Sequence, residues 1–176
     1  MITLPLLAVL VQALSGAPLD ALHAPAGTKA IVFLFTSTDC PISNRYAPEV
    51  RRIADAFGSK GVVFRIVYPS RADDAKAIRE HMTAYAYQGV VEAVRDPKQA
   101  LVKFAGATIT PEVAVVVGGR VVYHGRIDDR FVDLGRERPA PTERDLVDAL
   151  TAIVAGNPSP RAATQPVGCF ISDLVR

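Results

Sequence analysis

AIVFLFTSTDCPISN, residues 30–44, decides how this chain is read. Ala30–Phe35 is apolar throughout and rich in β-branched and aromatic residues. A continuous run of that length predicts a strand buried on both faces. Thr36, Ser37, Thr38 and Asp39 end it, and Cys40-Pro41 opens a helix. Proline suits the first helical turn, where its missing N–H costs nothing. A cysteine at a strand-to-helix junction meets free amides and the positive end of a helix dipole, both of which favour its thiolate. Cys40 therefore reads as a reactive thiol, with Thr36 and Ser37 as hydroxyl donors beside it.

Beyond this stretch the chain alternates element types. Val50, Ile53, Ala54 and Phe57 recur at helical spacing, so residues 45–57 predict a helix that Gly58 stops. VVFRIVY, residues 62–68, predicts a second strand. Ser70 and Asp73 form a capping box for a helix reaching Tyr85. A short strand over 89–96 and a short helix over 98–104 follow. EVAVVV (112–117) and RVVYHGRI (120–127) are split by Gly118-Gly119, the signal of a hairpin. Residues 128–141 are polar and irregular. Thr142 with Asp145 caps a last helix through Leu146, Leu150, Ile153 and Val154. Strands joined by helices imply parallel pairing, with an antiparallel hairpin at the end. The fold class is α/β: a central mixed sheet flanked by helices, with an extended C-terminal tail.

The totals fit one domain. Of 176 residues, 49% are hydrophobic and 22% charged, so the chain can bury a core of its own. The net charge is +2 and no basic run stands out, which argues against nucleic acid as a partner. The two cysteines, Cys40 and Cys169, cannot make a disulfide scaffold but can make one redox pair. The histidines show no ligand spacing, so neither metal nor cofactor is expected. His81 reads as a surface residue on a polar helix, and His124 as a packing residue. Residues 126–130 read as a solvated charged turn.

Residues 4–14 (LPLLAVLVQAL) are nearly all apolar, and Ser15-Gly16-Ala17 suits a cleavage site. Residues 1–17 therefore read as a signal peptide, which would place the protein in the periplasm or outside the cell. No Lys or Arg precedes the apolar run, so a buried N-terminal helix of a cytoplasmic protein is the alternative. The expected division is a leader over 1–17, a domain over 18–156, and a Pro-rich tail over 157–176 carrying Cys169.

Strand, TSTDCPISN, helix and a distant Thr-Pro-strand-Gly-Gly-strand hairpin together resemble the thioredoxin-like redoxins, a superfamily that includes the peroxiredoxin-like antioxidant proteins. The resemblance spans residues 21–156 and implies a thioredoxin fold. It puts Cys40 at the nucleophilic cysteine and Thr110-Pro111 at the cis-proline facing it. The second cysteine of the thioredoxin motif is Ser43 here. Phe33 stands where peroxiredoxins have a proline, Thr110 replaces their peroxide-polarising arginine, and Arg126 is an unproven substitute. The chain also resembles copper-delivery proteins of the same fold around Cys40-Pro41, but the first cysteine of their Cys-x-x-x-Cys-Pro is Thr36 here, so their two-thiolate copper site is missing.

The implied activity is thiol–disulfide exchange or a peroxiredoxin-like reduction of hydroperoxides, through the Cys40 thiolate. The partners would be protein thiols or disulfides, or a hydroperoxide, together with a reducing protein. Thr36 and Ser37 would hydrogen-bond the sulfur, and Thr110 and Pro111 would hold an incoming chain. The tail is long enough, at about 3.3 Å per residue, to carry Cys169 to Cys40 as a resolving thiol. An unpaired tail thiol, or one used between chains, stays open. So does a copper(I)-binding metallochaperone or a non-catalytic binding module, since two thiolates suit a soft metal. The oligomeric state is not legible.

Overall fold

The computed structural model describes residues 8–172 and 174. Its elements run β1 (Leu10–Ala13), β2 (Pro18–Asp20), β3 (Ala30–Phe35), α1 (Pro41–Arg45), α2 (Ala47–Gly58), β4 (Val62–Tyr68), α3 (Ala75–Ala84), β5 (Glu92–Arg95), α4 (Ala100–Ala105), β6 (Ile109–Thr110), β7 (Glu112–Val117), β8 (Arg120–Gly125), β9 (Phe131–Asp133), β10 (Arg136–Glu137), α5 (Asp145–Val154) and β11 (Cys169–Phe170). Seven strands make one mixed sheet in the order β2-β1-β5-β4-β3-β7-β8. β3, β4 and β5 are parallel, while β7 runs antiparallel to β3 and to β8.

β3 is buried at every position, as its apolar run predicts. Ala30, Val32 and Leu34 face a core shared with α2, α3 and α5, while Ile31, Phe33 and Phe35 face a second core shared with α4. Alternation of side chains along a strand is what lets one hexapeptide serve two hydrophobic layers. α2 buries Val50, Ile53, Ala54 and Phe57, the stripe read from the sequence.

The sheet reaches further toward the N-terminus than expected. Part of the stretch read as a leader is β1, which pairs with β2 and, through Gln12 and Ala13, with β5. Val9 and Val11 are buried in the α4-side core. Cleavage after Ala17 would strip this strand from the sheet. Residues 1–7 of the expected leader lie outside the described residues. A sheet strand and a signal segment both draw on a short apolar run, and composition alone does not separate them.

Helix starts were also misplaced. Asp74, not Ser70, caps α3: its carboxylate accepts from the amides of Lys76 and Ala77. Ser70 instead accepts from the Ala72 amide in a local turn. The Asp96 carboxylate accepts from the amides of Ala100, Leu101 and Val102 at 2.8–3.0 Å and so anchors α4. Thr142 does not cap α5; its amide and hydroxyl both donate to Asp129. The polar stretch over 128–141 contains the small β9–β10 hairpin.

Candidate active site

Cys40 sits at the N-cap of α1, with Pro41 in the first turn. Backbone bonds fix the loop before it. The Thr36 amide donates to the Val67 carbonyl at 2.9 Å and the Cys40 amide to the Ser37 carbonyl at 3.3 Å. The Thr38 hydroxyl donates to Asp73 at 2.5 Å, while the Asn44 amide group donates to the Thr38 carbonyl at 3.3 Å. Behind Asn44 stands His81, which is buried rather than on the surface. Its Nε2 is 2.8 Å from Asn44 Oδ1 and its Nδ1 2.9 Å from the Tyr68 hydroxyl. Burial lowers the His81 pKa, so the ring is neutral and can donate to Asn44 while accepting from Tyr68. A chain of side chains thus ties the loop carrying Cys40 to the core.

The C-terminal tail completes the site. At its root, Thr164 bonds the Arg126 amide and the Tyr123 hydroxyl, and its amide donates to the His124 carbonyl. The fit requires glycine at 125, where a Cβ would strike the Thr164 carbonyl and where φ is +137°. Arg161 pairs with Asp145 at 2.7 Å and Glu143 at 3.0 Å, and Arg126 pairs with the same two carboxylates. At its tip, β11 pairs antiparallel with β6, placing Cys169 opposite Thr110. The Ile171 amide donates to the Thr108 carbonyl, and the Ile171 side chain enters the α4-side core.

This brings the two cysteines together. Cys40 Sγ lies 2.8 Å from Cys169 Sγ, across 129 residues of sequence, and 3.2 Å from the Thr110 carbonyl oxygen. Both are free thiols. Burial works to raise the Cys40 pKa, but hydrogen bonds from Cys169, from the Ser43 hydroxyl and amide, and from the Thr110 side chain hold it below the ordinary thiol value. Cys169 goes the other way. Burial, its bond to Cys40 and the charges of Cys40 and Asp39 push it up to about 12. When the pair gives up one proton, the negative charge therefore falls on Cys40 and the remaining proton stays on Cys169.

Of the expected site residues, Cys40, Cys169 and Thr110 converge. The Thr110–Pro111 peptide is cis, and Pro111 precedes Glu112, whose buried carboxylate accepts from the Thr108 and Ile109 amides. Ser37 departs from expectation: its hydroxyl donates to Asp39, not to the sulfur. Thr36 is buried at the end of β3 and is not among the groups that stabilise the thiolate. Their place is taken by Ser43, whose buried hydroxyl has no hydrogen-bond partner by geometry among the described residues and which helps to hold the Cys40 pKa down. The signal was available, since residues 40 and 43 share one helical face. Arg126 is committed to Asp145 and Glu143. Among the described residues no three His, Cys, Asp or Glu side chains converge as a metal site.

A cleft of about 390 Å³ opens beside the sulfurs, lined by Ser37–Asp39, Asp73, Thr110 and residues 169–172. Cys169 lies in its wall; Cys40, 1% exposed, does not.

No protein-family model matches the chain, and no curated protein matches it either. Solved structures do. A hypothetical protein from Sinorhizobium meliloti is 22% identical with a TM-score of 0.73, covering 97% of this chain and 94% of that one. An uncharacterised conserved protein from Geobacillus kaustophilus is 21% identical with a TM-score of 0.75, covering 94% and 88%. A secreted Mycobacterium tuberculosis disulfide oxidoreductase, homologous to Escherichia coli DsbE, is 19% identical with a TM-score of 0.55, covering 84% and 94%. With its mixed sheet, flanking helices and Cys40 in the junction between β3 and α1, the chain has the thioredoxin fold that these structures share.

Proposed function

We propose that this protein is a thiol–disulfide oxidoreductase that cycles between a Cys40/Cys169 dithiol and a Cys40–Cys169 disulfide. The observation that carries the reading is the 2.8 Å separation of the two sulfurs. The charge distribution supports it, because exchange runs through a thiolate and Cys40 is the stabilised one. A thiolate of the pair attacks a disulfide sulfur, and one thiolate departs as the new S–S bond forms. Two electrons pass to the departing partner when the Cys40–Cys169 bond closes. Protein thiols or disulfides are the substrate class. An exported setting suits a reversible disulfide, and the Mycobacterium protein of like fold is described as secreted.

The test is one equivalent of mild oxidant, followed by intact mass and a non-reducing peptide map. A single-chain cross-link between the Cys40 and Cys169 peptides, with the loss of two hydrogen atoms, is expected. Two free thiols, or oxygen added to Cys40 alone, would refute the cycle. Stoichiometric copper(I) binding lost in both Cys40→Ser and Cys169→Ser, with no thiol turnover, would favour the metal-carrier reading instead.

A further inference from the structure

We infer that the outside partner exchanges its disulfide through Cys169, so that the tail cysteine is the shuttle thiol and Cys40 the inner thiol that never meets the partner directly. This rests on the two-cysteine cycle above and reverses the order of action expected from the sequence, in which Cys40 takes the substrate and Cys169 resolves.

Access decides which sulfur a second molecule can reach. Cys40 is 1% exposed and closed in by Thr110, Ser43 and the tail itself. Cys169 is partly exposed and stands in the wall of the cleft. The next residue, Phe170, is 82% exposed and offers a partner an apolar contact beside the reacting sulfur. Reaching Cys40 would require lifting β11 from β6, withdrawing Ile171 from the core and breaking the Gln99–Ser172 bond. Reaching Cys169 requires none of this.

The leaving group points the same way. In the oxidised chain an incoming thiolate attacks one sulfur and expels the other, and the more stable thiolate leaves faster. Attack on Cys169 expels Cys40, whose thiolate is received by Ser43 and Thr110. Attack on Cys40 would expel Cys169, whose thiolate burial and the Asp39 charge disfavour. The partner is a protein or peptide dithiol. Its first thiolate bonds to Cys169 Sγ as the Cys40–Cys169 bond breaks, and the electron pair stays on Cys40. Its second thiolate then attacks the partner's own sulfur. The partner leaves as a disulfide, and Cys169 leaves as a thiolate that takes a proton from water. Reduction of a partner disulfide follows the same steps backwards.

The experiment uses the wild-type chain, oxidised to the internal disulfide and mixed with excess 2-sulfanylethanol. The reaction is stopped with acid at short times, and the adduct is mapped by peptide mass spectrometry. Adduct on Cys169 should exceed adduct on Cys40 by at least ~10-fold, given the difference in leaving thiolates. Adduct on Cys40, or equal labelling, overturns the assignment while leaving the two-cysteine cycle standing. Failure to obtain any internal disulfide overturns that cycle, and the assignment with it.

Discussion

Gly168 packs so closely on β6 that a single methyl group at this position should loosen the tail. A Cβ there would run into the Thr110 carbonyl oxygen and carbon and come within 2.9 Å of Ile109 Cγ2. That carbonyl oxygen also lies 3.2 Å from Cys40 Sγ. Overpacking of this kind costs about 1–3 kcal/mol. What holds the tip down is of similar size: burying Ile171 contributes about 1.5–3 kcal/mol, and its backbone bond to Thr108 about 0.5–1.5 kcal/mol. Gly168→Ala should therefore lower the docked-to-undocked ratio by roughly 5- to 150-fold, each 1.4 kcal/mol being a factor of ten. The effective concentration of Cys169 at Cys40 falls by the same factor. Two assays read it: the dithiol–disulfide equilibrium in a glutathione buffer, and the rate at which iodoacetamide alkylates Cys40. The first should shift toward dithiol and the second should rise. Wild-type behaviour in both would refute the view that β11 docking places Cys169.

Three further outcomes follow from the same geometry. Ser43→Ala removes a donor to the Cys40 thiolate, so the thiolate absorbance should appear at higher pH and alkylation near neutrality should slow. Asp96→Ala strands the three α4 amides it serves, costing about 2 kcal/mol, or roughly 4–8 °C of melting temperature for a domain this size. The Cys40–Cys169 equilibrium should not move. Burial lowers the His81 pKa below its ordinary 6.5. The unfolded chain then takes up a proton that the folded chain refuses, so stability present above that pH drains away as pH falls toward the lowered value. His81→Gln should flatten this loss relative to wild type in melts taken below about pH 6.5.

The central strands were legible because their residues have one interpretation. Ala30–Phe35 and Val62–Tyr68 are observed with the bounds that their apolar runs suggest. The Gly118-Gly119 hairpin was equally plain. Caps were less so, since Ser70, Asp73 and Asp74 all have capping chemistry and only the chain path selects Asp74. His81 looked exposed among charged neighbours, yet it shares helical spacing with Ile78, Met82 and Tyr85 and lies on their face. The hydroxyls before Cys40 drew attention through proximity in sequence, while the one that serves the sulfur is a helical turn later. Where the tail goes depends on contacts separated by dozens of residues, such as Arg161 with Asp145 and Cys169 with Thr110. No local pattern encodes them.

The span between the cysteines has a consequence for folding. A bond across 129 residues encloses most of the chain in one covalent ring. Closing a ring that large removes so many unfolded conformations that, in the chain-entropy model, it favours the native state by about 5 kcal/mol. Melting temperature should then differ by about 10–20 °C between oxidised and reduced protein. The same linkage run backwards means that the folded domain, by holding the two ends together, favours the oxidised pair. Reduction would turn this protein from a clamped ring into an open chain that relies on its two hydrophobic layers alone.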